Sequence, residues 1–386
     1  MSTAVDSKSN QGSKPGFLEK MVARARLEVY PERCLNRRHP KSGCRACRDI
    51  CPVEAISFGD FSEIDYSRCC GCGICVGVCP TEVFTLGGYS YNSLLTRVAG
   101  KSEAEFNCSR RSPGRGNGVT VPCLGYLDES FLVAVISRGA QTVTLDITPC
   151  PDCPLQSGFQ SLQRCLARAN KILALFGREG KIRLATGGKN PFRGGRDIRQ
   201  YSRRELFSYL GRGVRNMAEG KQGSRTKILN PARAGLAPRL PEKRRLLLQS
   251  LLALAEPASH TLESQDLPFL QIETAVECDV CGLCATLCPS EALQRNDHEG
   301  KRVIEFNTSL CIACHLCLEI CPRKALRSST SFNICDVLAG KSMVIAEQVT
   351  STCPRCGQAG ILSDGSGLCL NCQKENNIRE WLIRQQ

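Results

Sequence analysis

The sequence predicts an α+β multidomain protein, with two cysteine-rich modules flanking a small parallel α/β domain and a further cysteine-containing segment at the C-terminus. Of the 386 residues, 27 are cysteine, and 20 of these form five sets of four. The aromatic content is only 5%, which suits several small modules held by metal better than one broad core. In the middle of the chain, strand-like and helical segments alternate, as they do around a parallel sheet.

Residues 1–27 are predicted to form a disordered tail, because residues 1–20 are polar and lack the apolar segment of a signal peptide. The longest apolar stretch, 246–255, is about ten residues long and too short to span a bilayer. Thiols that bind metal require a reducing compartment, so the expected location is the cytoplasm, without membrane insertion and with peripheral docking at most.

Residues 28–90 and 266–328 are the two cysteine-rich modules, and each contains two runs at or near the spacing C-x2-C-x2-C-x3-C-P. This spacing is the signature of cubane iron–sulfur ligation. The first module holds Cys34, Cys44, Cys47, Cys51, Cys69, Cys72, Cys75 and Cys79. The second holds Cys278, Cys281, Cys284, Cys288, Cys311, Cys314, Cys317 and Cys321. In the first run, nine residues (35–43) separate two cysteines that usually stand two residues apart.

Both modules resemble bacterial two-cluster ferredoxins. The resemblance implies four [4Fe–4S] clusters in the chain, with the fourth cysteine of each run serving the cluster of the other run. In the first module the implied sets are Cys34, Cys44 and Cys47 with Cys79, and Cys69, Cys72 and Cys75 with Cys51. In the second they are Cys278, Cys281 and Cys284 with Cys321, and Cys311, Cys314 and Cys317 with Cys288. Cys70 falls outside these sets, because only Cys69 keeps two residues before Cys72. His315 is interpreted as a surface residue of its loop.

Residues 103–188 are predicted to form the α/β domain, with strands at 119–121, 142–147 and 182–185 and helices at 129–138 and 162–176. Three cysteines, Cys123, Cys150 and Cys153, follow the ends of predicted strands, and those ends share one edge of a parallel sheet. With Cys108 they make a possible additional cluster site. Cys165, within the second helix, is interpreted as a core residue.

The sequence around Cys123, 138–146 and Cys150-Pro-Asp-Cys153 resembles the small delta subunit of methyl-viologen-reducing hydrogenases. The resemblance implies a [2Fe–2S] centre and a link between redox enzymes. Here the last two cysteines are two residues apart instead of four. An iron–sulfur centre, zinc and a thiol-only site all stay open.

Residues 189–265 are predicted to be a basic, partly helical linker with helices at 202–210 and 241–256. The formal net charge is +14, and residues 193–245 alone hold 15 Lys/Arg against four acids. Bound clusters and zinc would remove about 12 positive charges, since each four-thiolate centre carries about −2. The basic stretch is interpreted as a docking surface or solvated connector, with nucleic-acid binding as the alternative.

Residues 350–386 carry the set Cys353, Cys356, Cys369 and Cys372 with spacing C-x2-C-x12-C-x2-C, followed by a short helix around 378–382. This spacing resembles a zinc ribbon and implies one structural zinc ion. A rubredoxin-like iron site has the same spacing.

No catalytic residue is predicted. Dinucleotide and phosphate-loop motifs are absent, no nucleophile–base pair stands out, and the chain has only four histidines. The predicted function is that of a multi-cluster iron–sulfur electron-transfer protein, not an enzyme by itself. It would pass single electrons between subunits of hydrogenase, formate dehydrogenase or heterodisulfide-reductase type complexes. The alternatives are a nucleic-acid-associated or regulatory protein that uses its iron–sulfur and zinc modules structurally, and a self-sufficient reductase.

Overall fold

The computed structural model describes residues 27–59, 62–109, 118–186, 239–254, 256–258, 261–263, 267–275, 278–298, 300–362 and 366–383. Three sequence predictions lie outside these residues: the N-terminal tail to residue 26, the helix at 202–210 and most of the basic stretch. Every cysteine lies inside them, and none forms a disulfide.

The described residues form short strands and mostly short helices. The helices are α1 Leu35–Arg38, α2 Ala46–Asp49, α3 Ile74–Val78, α4 Tyr91–Val98, α5 Glu129–Ser137, α6 Gln156–Ala174, α7 Glu242–Ala253, α8 Leu283–Thr286, α9 Leu316–Ile320, α10 Ile334–Ala339 and α11 Leu370–Ile383. The strands are β1 Leu27–Val29, β2 Ile56–Phe58, β3 Ser62–Ile64, β4 Phe84–Leu86, β5 Glu103–Cys108, β6 Val119–Val121, β7 Thr142–Asp146, β8 Ile182–Ala185, β9 Thr261–Glu263, β10 Ile272–Thr274, β11 Leu293–His298, β12 Lys301–Phe306, β13 Leu326–Ser328, β14 Ser331–Asn333, β15 Met343–Val349, β16 Ser351–Thr352 and β17 Ala359–Gly360. Pro31–Arg33 and Leu124–Tyr126 are 3-10 helices.

The chain divides into two compact units. Described residues within 27–31, 45–167 and 180–186 belong to the first unit, and those within 32–44, 168–179 and 239–383 belong to the second. The first unit therefore contains most of the first cysteine-rich module together with most of the α/β domain. The bounds of the six segments expected from the sequence stay predictions.

The first unit is centred on a four-stranded, all-parallel sheet in the order β6-β5-β7-β8. Helix α5 covers the sheet with an apolar run whose side chains are fully or nearly fully buried, and Asp128 caps it by accepting the Phe131 N–H at 3.0 Å. The Phe106 and Phe131 rings meet edge to face, 5.3 Å apart. Strand β5, an inner strand of this sheet, was not predicted from the sequence, because E-A-E-F-N-C contains two glutamates and no β-branched residue.

The cysteine-rich module of the first unit is framed by two antiparallel pairs, β1 with β4 and β2 with β3. Each pair is only three residues long. Such pairs are too short to be stable alone, so contacts around the cysteine loops must hold the module.

The second unit repeats this layout and extends it. Strand β10 pairs with β13, and β11, β12 and β15 form an antiparallel sheet. Phe306 and Ile304 of β12 are buried in the core with Ile272, Leu270 and Val280. Helix α7, predicted at 241–256, begins after Pro241 and belongs to this unit. Its Arg244 is only 4% exposed, so the expectation of a solvated basic connector is wrong at this residue.

Among the described helices, none combines the length and the apolar character needed to cross a bilayer. The C-terminal helix α11 leaves Ile378, Trp381, Leu382 and Ile383 more than half exposed.

Candidate metal centres

The cysteine loops of the second unit are shaped by residues with positive φ on either side of the middle cysteine. These residues are Val280 (φ 49°), Gly282 (78°), Ala313 (50°) and His315 (59°). Left-handed residues alternating with right-handed ones turn successive backbone N–H groups toward one side of the loop. Such nests bind anions, including iron–sulfur clusters. The loops therefore fit a group that carries net negative charge.

In the second unit, the fourth cysteine of each run lies among the first three cysteines of the other run. Burial raises the pKa of Cys284 to about 12, and neighbouring thiols add to the increase. Those thiols are Cys281, Cys278 and Cys321. In the other half of the module, Cys288, Cys311, Cys314 and Cys317 line one pocket, which Cys284 of the first half also lines. The structure thus brings the eight cysteines of this module close to one another, and their division into two ligand sets stays a prediction.

A repeated turn positions the fourth cysteine of each run. The third residue after that cysteine has positive φ in all four runs: Glu54 (47°), Glu82 (55°), Glu291 (58°) and Lys324 (52°). The turn aims the next N–H back at the sulfur in three of the runs: Ala55 to Cys51 at 3.3 Å, Val83 to Cys79 at 3.4 Å, and Ala325 to Cys321 at 3.4 Å. An N–H that points at sulfur stabilises a thiolate, the form that binds metal.

The first unit holds one loop of the same design. Gly71 (φ 65°) and Gly73 (77°) flank Cys72. Burial raises the pKa of Cys69 to about 11, and the Cys51 thiol adds to the increase. The fully buried Cys75 has a raised pKa with Cys69, Cys47, Cys51 and Cys79 as neighbours. Cys51, Cys69 and Cys75 are therefore neighbours, and the ligand set of Cys69, Cys72, Cys75 and Cys51 stays a prediction.

The first run of the chain departs from the other three. Arg45, between Cys44 and Cys47, has negative φ and leads directly into α2, so this loop lacks the nest. Cys34 and Cys44 belong to the second unit, whereas Cys47 and Cys79 belong to the first. The ligand set proposed for these four cysteines stays a prediction.

The insertion after Cys34 packs on the second unit instead of forming an open loop. Leu35 of α1 is buried against Leu316 and Ile320 of α9. The Gly43 N–H donates to Glu319 Oε2 at 2.9 Å. Nothing in the spacing of the cysteines alone indicated this contact.

The four cysteines of the α/β domain converge at the C-terminal edge of the parallel sheet and line one pocket there: Cys108, Cys123, Cys150 and Cys153. Cys108 is the last residue of the unpredicted strand β5, which explains why the sequence did not place it at this edge. Burial raises the pKa of both Cys123 and Cys150 to about 12, and the other cysteines of the group add to the increase.

Three glycines allow the cysteine-rich module and the α/β domain of the first unit to pack closely. A Cβ on Gly158 would lie 2.8 Å from Cys123 Sγ and 2.9 Å from Ile74 Cδ1, and one on Gly77 would lie 2.9 Å from Tyr126 O. A Cβ on Gly125 would collide with the Gly158 carbonyl oxygen. Helix α3, which carries Cys75, is therefore pressed against the segment that carries Cys123.

The C-terminal set Cys353, Cys356, Cys369 and Cys372 is the one group in the described residues whose ligand atoms all lie within 4.8 Å of one another. The Sγ atoms of Cys356 and Cys369 are 3.7 Å apart, close to the edge of a tetrahedron with metal–sulfur bonds of about 2.3 Å. The Cys369 N–H donates to Cys353 Sγ at 3.4 Å and, with the Cys356 and Arg355 N–H groups, lowers the pKa of Cys353 to about 6. This site fits a single ion rather than a cluster.

Three other residues singled out in the sequence, and one further cysteine outside the predicted sets (Cys335), lie as follows. Cys165 is buried in α6, and Cys335, in α10, is partly buried. His315 is exposed, as its interpretation as a surface residue requires. Cys70 is exposed, and its thiol contributes to the raised pKa of Cys72.

Comparison with known families identifies two segments of the chain. Residues 277–325 match a family described as a 4Fe–4S dicluster domain, which includes all eight cysteines of the second module. Residues 39–89 match the LdpA Fe–S cluster-binding domain, which includes seven of the eight in the first module and leaves out Cys34. No curated protein matches the chain. Both cysteine-rich modules are therefore ferredoxin-type iron–sulfur modules.

Proposed function

We propose that the chain is an electron-transfer protein that carries four [4Fe–4S] clusters and passes single electrons between partner redox enzymes. The observation that carries the proposal is the design of the second unit. There, two nest-shaped loops face the fourth cysteine of the opposite run, within a segment that matches a dicluster domain.

The chain's own residues prepare each site for a group with negative charge. Backbone N–H groups point at cysteine sulfurs, the thiols are largely buried, and the sites of one module adjoin each other. A bound cluster of this kind supplies one-electron transfer with no bond broken. Fixed N–H dipoles in a buried site reduce the reorganisation that accompanies a change of charge.

The cysteine pocket of the α/β domain is proposed to hold a further iron–sulfur centre, a [2Fe–2S] cluster by the resemblance to the hydrogenase delta subunit. Its four cysteines share a pocket, yet their sulfurs are not as close together as those of the C-terminal set. A multi-iron centre needs this wider spacing. The close contact of Gly158 with Cys123 and Ile74 supports a position of this pocket beside the proposed cluster site of Cys69, Cys72, Cys75 and Cys51.

The C-terminal set is proposed to hold one structural zinc ion. Redox enzyme subunits of hydrogenase, formate dehydrogenase or heterodisulfide-reductase type are the proposed partners, and the cytoplasm is the proposed location.

The proposal is tested by reversible reduction of the anaerobically purified full-length chain. Dithionite should bleach the visible absorption of the clusters, and one-electron acceptors such as oxidised viologens should restore it over repeated cycles. Loss of the chromophore on the first cycle, or absorption that reduction leaves unchanged, would contradict an electron-transfer role.

A further inference from the structure

Arg244 of helix α7 is a buried cation held by backbone oxygens. Its guanidinium donates to the carbonyl oxygens of Ser309 at 2.7 Å, Thr308 at 2.7 Å and Pro268 at 3.0 Å. It also lies over the ring of Phe269, 4.6 Å from the centroid. Ser309 is two residues before Cys311, so the arginine is fixed to the segment that leads into this cysteine loop.

No carboxylate accompanies this charge among the described residues. The contacts of Arg244 are the three carbonyls, the ring and the electrostatic attraction of the Cys311 thiol. Burial lowers the pKa of Arg244 to about 10, which leaves it protonated at neutral pH. A buried charge without a counter-ion is costly, and an anionic centre held by Cys311 would supply one.

Arg38 reaches the same cysteines from a different element. It is the last residue of α1, in the insertion that packs on α9, and it is 8% exposed. Burial lowers its pKa, and the thiols of Cys288 and Cys314 act in the opposite direction. Two buried cations thus flank the set of Cys288, Cys311, Cys314 and Cys317. Glu319, an acid in contact with this insertion, is exposed.

The other cysteine set of the same module has a carboxylate within its loop. Asp279 lies between Cys278 and Cys281, its carboxylate accepts the Cys281 N–H at 3.3 Å, and it raises the pKa of both thiols in addition to their burial. Two arginines are near. Arg323 pairs with Asp279 at 3.3 Å with its side chain 58% exposed, and Arg295 donates to the Cys281 carbonyl at 3.2 Å from an exposed position. Exposed charges are screened by water and count for less than buried ones.

We propose that Arg38 and Arg244 make the site of Cys288, Cys311, Cys314 and Cys317 the electron-accepting end of the second unit. The inference rests on the proposed function and adds a direction to it. Reduction adds one negative charge to a four-cysteine site, and a buried positive charge nearby stabilises the reduced form most. This site therefore has a more positive reduction potential than the site of Cys278, Cys281, Cys284 and Cys321.

Within the second unit, one electron passes to the acceptor site of Cys288, Cys311, Cys314 and Cys317. It comes from the donor site of Cys278, Cys281, Cys284 and Cys321. The donor site loses one electron, the acceptor site gains it, and no bond or proton changes. The electron is supplied by a one-electron donor, which is dithionite in the test.

The experiment is a redox titration of the full-length chain followed by EPR, with single substitutions of charged residues. The variants are Arg244→Gln, Arg38→Gln, Asp279→Asn and, as a matched surface control in β13 of the same module, Arg327→Gln. Arg244→Gln and Arg38→Gln should each shift the midpoint potential of the same EPR component to a more negative value. Asp279→Asn should move a different component to a more positive potential, and Arg327→Gln should move none.

The conservative variant Arg244→Lys, which keeps the charge, should shift the component less than Arg244→Gln. If Arg244→Gln loses iron, the midpoint potentials are compared in Arg38→Gln and Arg244→Lys, provided that these variants keep their full iron content. The inference is overturned if the variants keep their iron and every midpoint stays in place, or if the arginine and aspartate variants move the same component. Components that cannot be reduced reversibly in the unmodified chain would contradict the proposed function itself, which is a distinguishable result.

Discussion

His315 has a left-handed backbone at the loop position where Gly73 and Gly282 stand in two other loops. A residue with a Cβ pays about 1–2 kcal/mol for this conformation, whereas glycine adopts it freely. The site therefore requires the left-handed backbone, and His315 adopts it although its Cβ disfavours it. The identity of the residue matters less than its φ.

Replacing His315 by glycine should raise the free energy of unfolding by about 1 kcal/mol, because strain in the loop is relieved. His315→Val should lower it by at least as much and reduce the iron content, since a β-branched residue tolerates this region worst. Denaturant unfolding under anaerobic conditions, with iron analysis of both variants, measures the effect. Equal stability of the two variants would show that the loop does not need the left-handed conformation.

The neighbouring thiols of Cys69 and Cys70 give a matched pair of variants. The loop design and the C-x2-C spacing both select Cys69, whose thiol is buried near Cys51, whereas Cys70 is exposed. Cys69→Ser should lose one cluster, about four irons per chain. Cys70→Ser should keep the full iron content. Iron and sulfide analysis of the two proteins separates these outcomes. If only Cys70→Ser loses iron, Cys70 and not Cys69 is the ligand.

At the scale of the structural elements, Gly158 of helix α6 allows α6 to contact both α3 and the segment after β6. This contact joins the cysteine-rich module to the α/β domain within the first unit. Gly158 leaves no room for a side chain between Cys123 and Ile74. Because interiors are packed to high density, an added methyl group must displace one of these neighbours. The position of the cysteine pocket relative to the adjacent cluster site thus depends on the absence of a single methyl group.

Gly158→Ala should lower the free energy of unfolding by about 1–3 kcal/mol and reduce metal binding at the α/β-domain cysteines. The control is Gly59→Ala in the same unit, whose Cβ would approach nothing closer than 3.5 Å. Thermal unfolding and the intensity of the corresponding EPR component report the two effects. If Gly158→Ala has the same thermal stability and the same EPR intensity as Gly59→Ala, the close contact at Gly158 does not position the cysteine pocket.

The C-terminal segment is expected to depend on its metal, because its two strands are only two residues long each. Cys372→Ser should lose one zinc per chain and leave the iron content unchanged. Cys335→Ser, outside any proposed site, should keep both. Metal analysis by mass spectrometry checks this, and iron in place of zinc in the unmodified protein would favour the rubredoxin-like alternative.

The sequence predicted the elements whose signals are local. The spacing of the cysteines located the modules that the family matches confirm, and helix α5 and strands β6 to β8 were found from their apolar patterns. Strand β5 was missed because its sequence has two glutamates and lacks the β-branched residues that mark β6 to β8. Arg244 was counted with the basic stretch, since burial of a cation by carbonyl oxygens distant in sequence leaves no local signal.

On the scale of the whole molecule, both compact units carry iron–sulfur modules. The whole of one family match, 277–325, lies in the second unit, and residues 45–89 of the other lie in the first. The formal charge of +14 describes the chain without metal. The proposed four-thiolate centres, each with a net charge of about −2, would offset most of this charge in the metal-bound protein.

The most direct test of the central claim is iron, sulfide and zinc analysis of the anaerobically purified full-length chain, combined with EPR during stepwise reduction. Four cubane clusters and one [2Fe–2S] centre predict about 18 irons with an equal amount of acid-labile sulfide, together with one zinc. The EPR signals should appear in successive one-electron steps and disappear on reoxidation. Iron far below the about 16 atoms of four cubanes, iron without sulfide, or clusters that no reductant changes would contradict an electron-transfer protein built on four cubane sites.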